Sequence, residues 1–138
     1  MQSELQLIER IRARAPQLRA SGVALGIGDD CAVYHARGAS EDLLFTTDLL
    51  VEDVHFRRET HRAADIGWKA LARGLSDIAA MGGDPRFCLV SLALAPWNDA
   101  RWLDGFYRGL LQLAAREKTA LAGGDLGRSA KTTCDIVV

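Results

Sequence analysis

The sequence has no long hydrophobic run. Its longest apolar stretch, Cys88 to Pro96, is too short to cross a bilayer as a helix. The N-terminus lacks the charged-then-apolar pattern of a secretory signal. Cysteine is scarce: Cys31, Cys88 and Cys134 are odd in number and form no C-x-x-C pair. That disfavours a disulfide framework and a structural zinc site, and makes a reducing cytoplasm the expected compartment. Neither sign of charge is in excess, since the formal net charge is −1 and the Lys and Arg residues are scattered. The electrostatic footprint of a nucleic-acid or membrane-surface binder is therefore absent.

Several catalytic signatures are missing too. There is no G-x-x-x-x-G-K-[ST] phosphate loop. Gly26-Ile27-Gly28 lacks the third glycine of a dinucleotide fingerprint, and the acids after it would repel a pyrophosphate without a metal. No G-x-S-x-G elbow occurs, and no Ser–His–Asp order suggests itself. His35, His55 and His61 share no ligand spacing, so a zinc centre is not expected. A phosphotransferase built from this chain would belong to neither the P-loop nor the protein-kinase type.

What is present fits an ordinary globular chain of 138 residues, about half hydrophobic and a quarter charged. That length suits one domain with a real core and is short for a two-domain enzyme. Ser3-Glu4-Leu5-Gln6 has capping-box form, Leu5, Ile8 and Ile11 repeat at helical spacing, and Pro16 marks a stop. A Gly-rich segment, Leu25 to Asp30, leads into a predicted strand at Cys31 to His35. Leu43-Leu44-Phe45 reads as a second strand running straight into Thr46-Thr47-Asp48, with a short extended stretch over Val51 to Phe56. Ala64, Trp68, Leu71, Leu75 and Ile78 make a helical stripe closed by Gly82-Gly83. Phe87 to Leu94 reads as a buried strand ending at Pro96. Asn98 or Asp99 then caps a helix with Trp102, Phe106, Leu110 and Leu113 on one face. Ala120 to Ala122 is brief, Gly123-Gly124-Asp125 reads as a turn, and Thr132 to Val138 is the last strand. The closing residues read as the middle of a strand, so a C-terminal truncation is expected.

This order of elements predicts an α+β fold, an α/β sandwich with a mixed, mainly antiparallel sheet and helices packed on one face. Asp29-Asp30, Asp48 and Asp125 each follow a short apolar segment through Gly or Thr. Strands of one sheet would bring such carboxylates together at their ends. Glycine lets backbone N–H groups approach phosphate oxygens, and Thr46 and Thr47 add further oxygens. A hard cation such as Mg²⁺ takes this kind of donor set and relieves the repulsion among the acids. Taken singly, each motif reads more readily as a plain turn. Asp77 stands differently: it shares a helix face with Ala70, Gly74 and Met81, small and smooth apart from the one carboxylate. Presentation into a site and a partly exposed surface Asp are equally good readings of it. His55 is open between a substrate contact and a surface residue. Tyr107 reads more readily as core edge than as a ligand contact.

In order, Gly26-Ile27-Gly28-Asp29-Asp30-Cys31-Ala32, Thr46-Thr47-Asp48-Leu49-Leu50-Val51, His55-Phe56, Lys69-Ala70-Leu71, Leu75-Ser76-Asp77-Ile78-Ala79-Ala80-Met81-Gly82 and Gly123-Gly124-Asp125 resemble the thiamine-monophosphate kinases. The match runs from about Leu5 to the last strand. The same superfamily holds aminoimidazole ribonucleotide synthetase, selenophosphate synthetase and a hydrogenase maturation factor. The resemblance implies transfer of the ATP γ-phosphoryl group to thiamine monophosphate. It implies Mg²⁺ ligands at Asp30, Thr46, Thr47, Asp48, Asp77 and Asp125, nucleotide contacts at Tyr107, Gly124 and Asp125, and a substrate contact at His55. It also implies a homodimer paired through the sheets. Residues 1–138 would then be the ATP- and Mg²⁺-binding, dimerising N-terminal domain, lacking the C-terminal domain of the family and turning over poorly by itself. Gly74 stands where Asn is frequent, Gly83 where Ala is frequent, and Leu126 where Thr is common. None of these removes a carboxylate. The alternatives are another ATP-dependent enzyme of the superfamily and a non-catalytic nucleotide-binding dimerisation module. A metal-dependent phosphatase is disfavoured by the lack of a nucleophile motif.

Overall fold

The computed structural model describes residues 3–15 and 22–138. They form two compact units, one up to Phe45 and one from Thr46 to Val138. The first contains helix α1 (Glu4–Arg14) and an antiparallel sheet of β1 (Val23–Leu25), β2 (Ala32–His35) and β3 (Asp42–Phe45), in that order. The predicted capping box forms: the Ser3 hydroxyl accepts from the Gln6 N–H, and the Gln6 side chain accepts from the Ser3 N–H. Pro16, the expected stop signal, lies outside the described residues. Strand β1 was not anticipated, because three residues are too few to display a period.

The second unit is a mixed four-stranded sheet under two helices. Its strands are β4 (Thr47–Val51), β5 (Phe87–Leu94), β6 (Ala120–Arg128) and β7 (Thr133–Val137), in the order β4-β7-β5-β6. The β4–β7 and β5–β7 pairs are antiparallel, and the β5–β6 pair is parallel. Helices α2 (Ala63–Ala80) and α3 (Ala100–Arg116) follow the predicted stripes. Gly82 at φ 70° and the Gly83 N–H donated to the Ile78 carbonyl close α2, as the glycine pair predicts. Of the two candidate caps for α3, Asp99 is the one used, accepting from the Trp102 N–H at 2.7 Å.

Alternation decides which sheet face meets the helices. Leu50, Val90, Leu92, Cys134 and Ile136 are buried together with Ile66, Ala70 and Leu71 of α2 and Phe106 and Leu110 of α3. Each buried Val, Leu, Ile or Phe among them contributes roughly 1.5–3 kcal/mol. The intervening positions Leu49, Phe87 and Leu89 stay 50%, 42% and 37% exposed. The two helices touch almost backbone to backbone. A Cβ on Gly67 would lie 2.0 Å from the Phe106 carbonyl oxygen, and one on Gly109 would lie 1.9 Å from that of Ala64.

Two expectations need correction. Thr46-Thr47-Asp48 is not the end of the preceding strand. A new strand in the other sheet opens at Thr47 and runs to Val51, and the predicted extension to Phe56 is a tight turn with Asp53 at φ 68°. Gly123-Gly124-Asp125 is not a turn either. Strand β6 continues through it, paired with β5 from Leu89↔Gly123 to Leu94↔Arg128 after a register shift. The glycines are there for closeness: a Cβ on Gly124 would lie 1.8 Å from the Val90 carbonyl oxygen. Glycine so often marks turns that its second use, letting two backbones touch, was hidden in the sequence.

Candidate functional site

Strand β4 and helix α2 build the polar side of the second unit. Thr46 and Asp48 belong to the set of side chains alternating toward the helices. The Thr46 hydroxyl donates to Asp77 Oδ2 at 2.6 Å. Asp48 Oδ1 accepts from Arg73 Nε at 3.0 Å and Nη2 at 2.5 Å. Asp77 also raises the Arg73 pKa, behind the larger effect of the hydrogen bond to Asp48. The bonds thus join Arg73 to Asp48 and Thr46 to Asp77. Gly74 is the smooth part of that helix face: a Cβ there would lie 2.5 Å from Val138 Cγ2. This close seating of α2 on the sheet is why Asp77 arrives half-buried rather than solvated.

His55 lies in the turn after β4. Its Nδ1 accepts the Val51 N–H at 3.0 Å. A nitrogen that accepts carries no proton in neutral imidazole, so the proton sits on Nε2, which is left as a donor. The Lys69 ammonium donates to the His55 carbonyl at 2.5 Å and fixes the same turn from α2. At its base, the buried Glu52 accepts from Trp97 Nε1 at 3.2 Å and the Thr132 N–H at 2.8 Å.

Within the second unit, Thr47, Asp125 and Tyr107 have other partners. Thr47 alternates to the opposite face of the sheet, where its hydroxyl donates to Asp135 Oδ1 at 2.6 Å. Asp125 is exposed on β6, in register with Ser91, and its Oδ1 accepts the Leu126 N–H at 2.9 Å. Strands β7 and β5 lie between β4 and β6, so the Asp48 and Gly124 backbones are about 14 Å apart. Tyr107 is half-buried on α3, edge-on to Phe106 with ring centroids 5.4 Å apart. Asp30 belongs to the first unit, where its N–H donates to Asp29 Oδ1 at 2.9 Å. Arg73 and Lys69 are the polar residues that sequence reasoning passed over as site members. Their signal was spacing: Lys69, Arg73 and Asp77 recur every four residues on one helical face.

Among the described residues, no cluster of three or more His, Cys, Asp and Glu is arranged to hold a metal. What exists is a carboxylate pair with one oxygen of each, Asp48 Oδ2 and Asp77 Oδ1, unengaged by protein groups among the described residues. Two all-oxygen donors suit Mg²⁺, which keeps waters and takes its other ligands from phosphates, and do not suit zinc. No helix among the described residues is long and apolar enough to cross a membrane.

Together, the helix-covered mixed sheet and the carboxylates carried on β4 and α2 define an α+β domain with acidic side chains on its helical side. Residues 28–138 match the family described as AIR synthase related protein, N-terminal domain, and the chain belongs to that family. Thiamine-monophosphate kinase of Bacillus subtilis (strain 168) is 43% identical over 123 residues, which are 88% of this chain and 37% of that enzyme. The enzyme of the same name from Escherichia coli (strain K12) is 41% identical over 125 residues, 91% of this chain and 37% of its own. A solved structure described as AaThiL complexed with AMPPCP and TMP superposes with a TM-score of 0.85 at 32% identity, covering 99% of this chain and 42% of that one. The chain thus spans well under half the length of these relatives.

Proposed function

We propose that this chain supplies the Mg²⁺–ATP-binding half of a thiamine-monophosphate kinase, which transfers the γ-phosphoryl group of ATP to thiamine monophosphate and yields thiamine diphosphate and ADP. The observation that carries the proposal is the two carboxylates on facing elements, Asp48 and Asp77, each with one oxygen unengaged among the described residues, in a chain about 40% identical to enzymes of that name. In the reaction, an oxygen of the substrate phosphate bonds to the γ-phosphorus while the bond to the β–γ bridging oxygen breaks. That acceptor oxygen is already ionised at neutral pH, so no general base is required. The task is positioning and charge neutralisation.

Asp48 and Asp77 would hold the cation, and the Thr46 hydroxyl fixes the rotamer of Asp77. Bound there, Mg²⁺ would neutralise phosphate charge as the bond order shifts. His55 would offer Nε2–H to the substrate phosphate. Gly124 lets the β6 backbone pass close to β5, which shapes the strand carrying Asp125. Asp30, Thr47, Asp125 and Tyr107 enter through the resemblance alone, as metal and nucleotide contacts. The open sheet face bearing Leu49, Phe87 and Leu89 is the surface we assign to pairing of two copies as a homodimer. A cytoplasmic location accords with three buried cysteines that form no disulfide.

Calorimetry with the non-hydrolysable analogue AMPPCP tests the nucleotide side. Heat of binding that depends on Mg²⁺ and is lost in Asp77→Asn is expected. A folded protein that binds no analogue would sink the proposal and leave a dimerisation module. Separate titration with thiamine monophosphate and with substrates of the other superfamily enzymes tests the acceptor. Preference for one of the others would move the activity elsewhere in the superfamily.

A further inference from the structure

The side of α2 that faces β4 carries Lys69, Arg73 and Asp77, and each is tied to the β4 segment. The middle rung is unusual in its geometry. Arg–carboxylate pairs at their strongest are fork to fork, with two donors on two oxygens. Here both guanidinium donors converge on one oxygen, Asp48 Oδ1, and Oδ2 is left open. The Arg73 and Asp48 side chains remain 39% and 15% exposed, so solvent species reach the pair. Asp77 adds a second negative charge beside the same guanidinium. One fixed positive charge thus lies on a carboxylate that a divalent cation would need.

We propose that Arg73 is a resident counter-cation: it holds Asp48 in the metal-free chain and competes with the divalent cation for that carboxylate. The inference rests on the assignment of Asp48 and Asp77 to the cation site. Without Arg73 the Asp48 carboxylate would lose the cation that holds it in the metal-free state. With it the site is kept assembled, at the expense of cation affinity. A purely structural tie between α2 and β4 makes a different prediction, since its loss lowers stability and leaves metal affinity unchanged or weaker.

The test uses the metal alone on the whole 138-residue chain. Mn²⁺ is titrated without nucleotide into wild type and Arg73→Gln, and free Mn²⁺ is read by electron paramagnetic resonance. The variant is expected to bind about fivefold tighter, the size suited to losing a competitor that solvent partly screens. If wild type binds Mn²⁺ and Arg73→Gln binds equally or more weakly, the competition is overturned while the cation site stands. If neither binds, the cation site itself is overturned and the inference falls with it. Should Arg73→Gln fail to fold, nuclear magnetic resonance of wild type decides. The Arg73 Nε–H signal should shift as Mg²⁺ saturates the protein, and an unmoved signal in a Mg²⁺-bound sample refutes the competition.

Discussion

Replacing Gly109 with alanine sets two effects of opposite sign against each other. Glycine inside a helix costs about 1 kcal/mol relative to alanine, so propensity alone predicts a more stable protein. Packing predicts the reverse. The new Cβ would lie 1.9 Å from the Ala64 carbonyl oxygen, 2.6 Å from its carbon and 2.7 Å from the Ala64 Cα. These are backbone atoms and cannot rotate aside. Relief needs α3 to move off α2 by about 1.5 Å to reach ordinary contact distance. That motion opposes Gly67 and Gly105, which hold the same crossing through contacts to Phe106 and Ala63. Overpacking of this kind costs about 3 kcal/mol, the upper part of its usual range, and propensity returns about 1. A net loss of about 2 kcal/mol lowers the melting temperature by roughly 8–16 °C in a unit of this size. Circular dichroism melting of Gly109→Ala beside Gly127→Ala, whose Cβ would meet nothing within 4 Å, is the assay. A Gly109→Ala protein as stable as wild type refutes the argument that the helix crossing is set by backbone contact.

Gly124→Ala should destabilise by about 2–3 kcal/mol for the same kind of reason, since its Cβ would lie 1.8 Å from the Val90 carbonyl oxygen. Urea unfolding reads this, and an unchanged midpoint counts against the close pairing of β5 and β6. The Cys134 thiol is pushed up to about 12, first by burial and then by the charge of Asp135. Because the folded value lies above the unfolded one of about 8.5, stability should be complete below that pH and fall as pH rises toward the folded value. Chemical unfolding at pH 7 and pH 10 in wild type and Cys134→Ala measures the difference, and equal pH slopes refute it. All three thiols are buried and none is in a disulfide, so Ellman's reagent should find none in the native chain and three after unfolding. Leu49→Lys with Leu89→Lys should yield a folded monomer by sedimentation equilibrium if the open sheet face pairs two copies. A dimer that survives both changes assigns the pairing to another surface.

How much of this was legible in the sequence depended on how far each cause lay along the chain. Helix α1 was readable because its cap and its partner, Ser3 and Gln6, are three residues apart. Helices α2 and α3 were readable because each buries a stripe with a helical period. Strand β5 alternates under both helices and was found with its full extent, Phe87–Leu94. The role of Gly123-Gly124 was not readable locally, because its cause is the β5 backbone more than thirty residues away. The start of β4 at Thr47 was hidden for a similar reason. Its partner is β7, near the other end of the chain, and apolar residues on both sides of Thr46 disguise the change of sheet.

The sequence by itself determined the α+β class, the three helices, the buried faces of α2 and α3, and which carboxylates were worth following, because periodicity, capping and motif order are local properties. It also singled out Asp77, through the small residues that share its face. Only the tertiary structure decided how those carboxylates are grouped. Asp48 is held by Arg73 and Asp77 by Thr46, whereas Thr47 alternates to the other side of the sheet and Asp125 stands at the far edge. A strand's register and a helix's seating fix these relations, and both are set by contacts between residues distant in sequence. The guanidinium on Asp48 is such a contact: Arg73 meets Asp48 across twenty-five residues of chain.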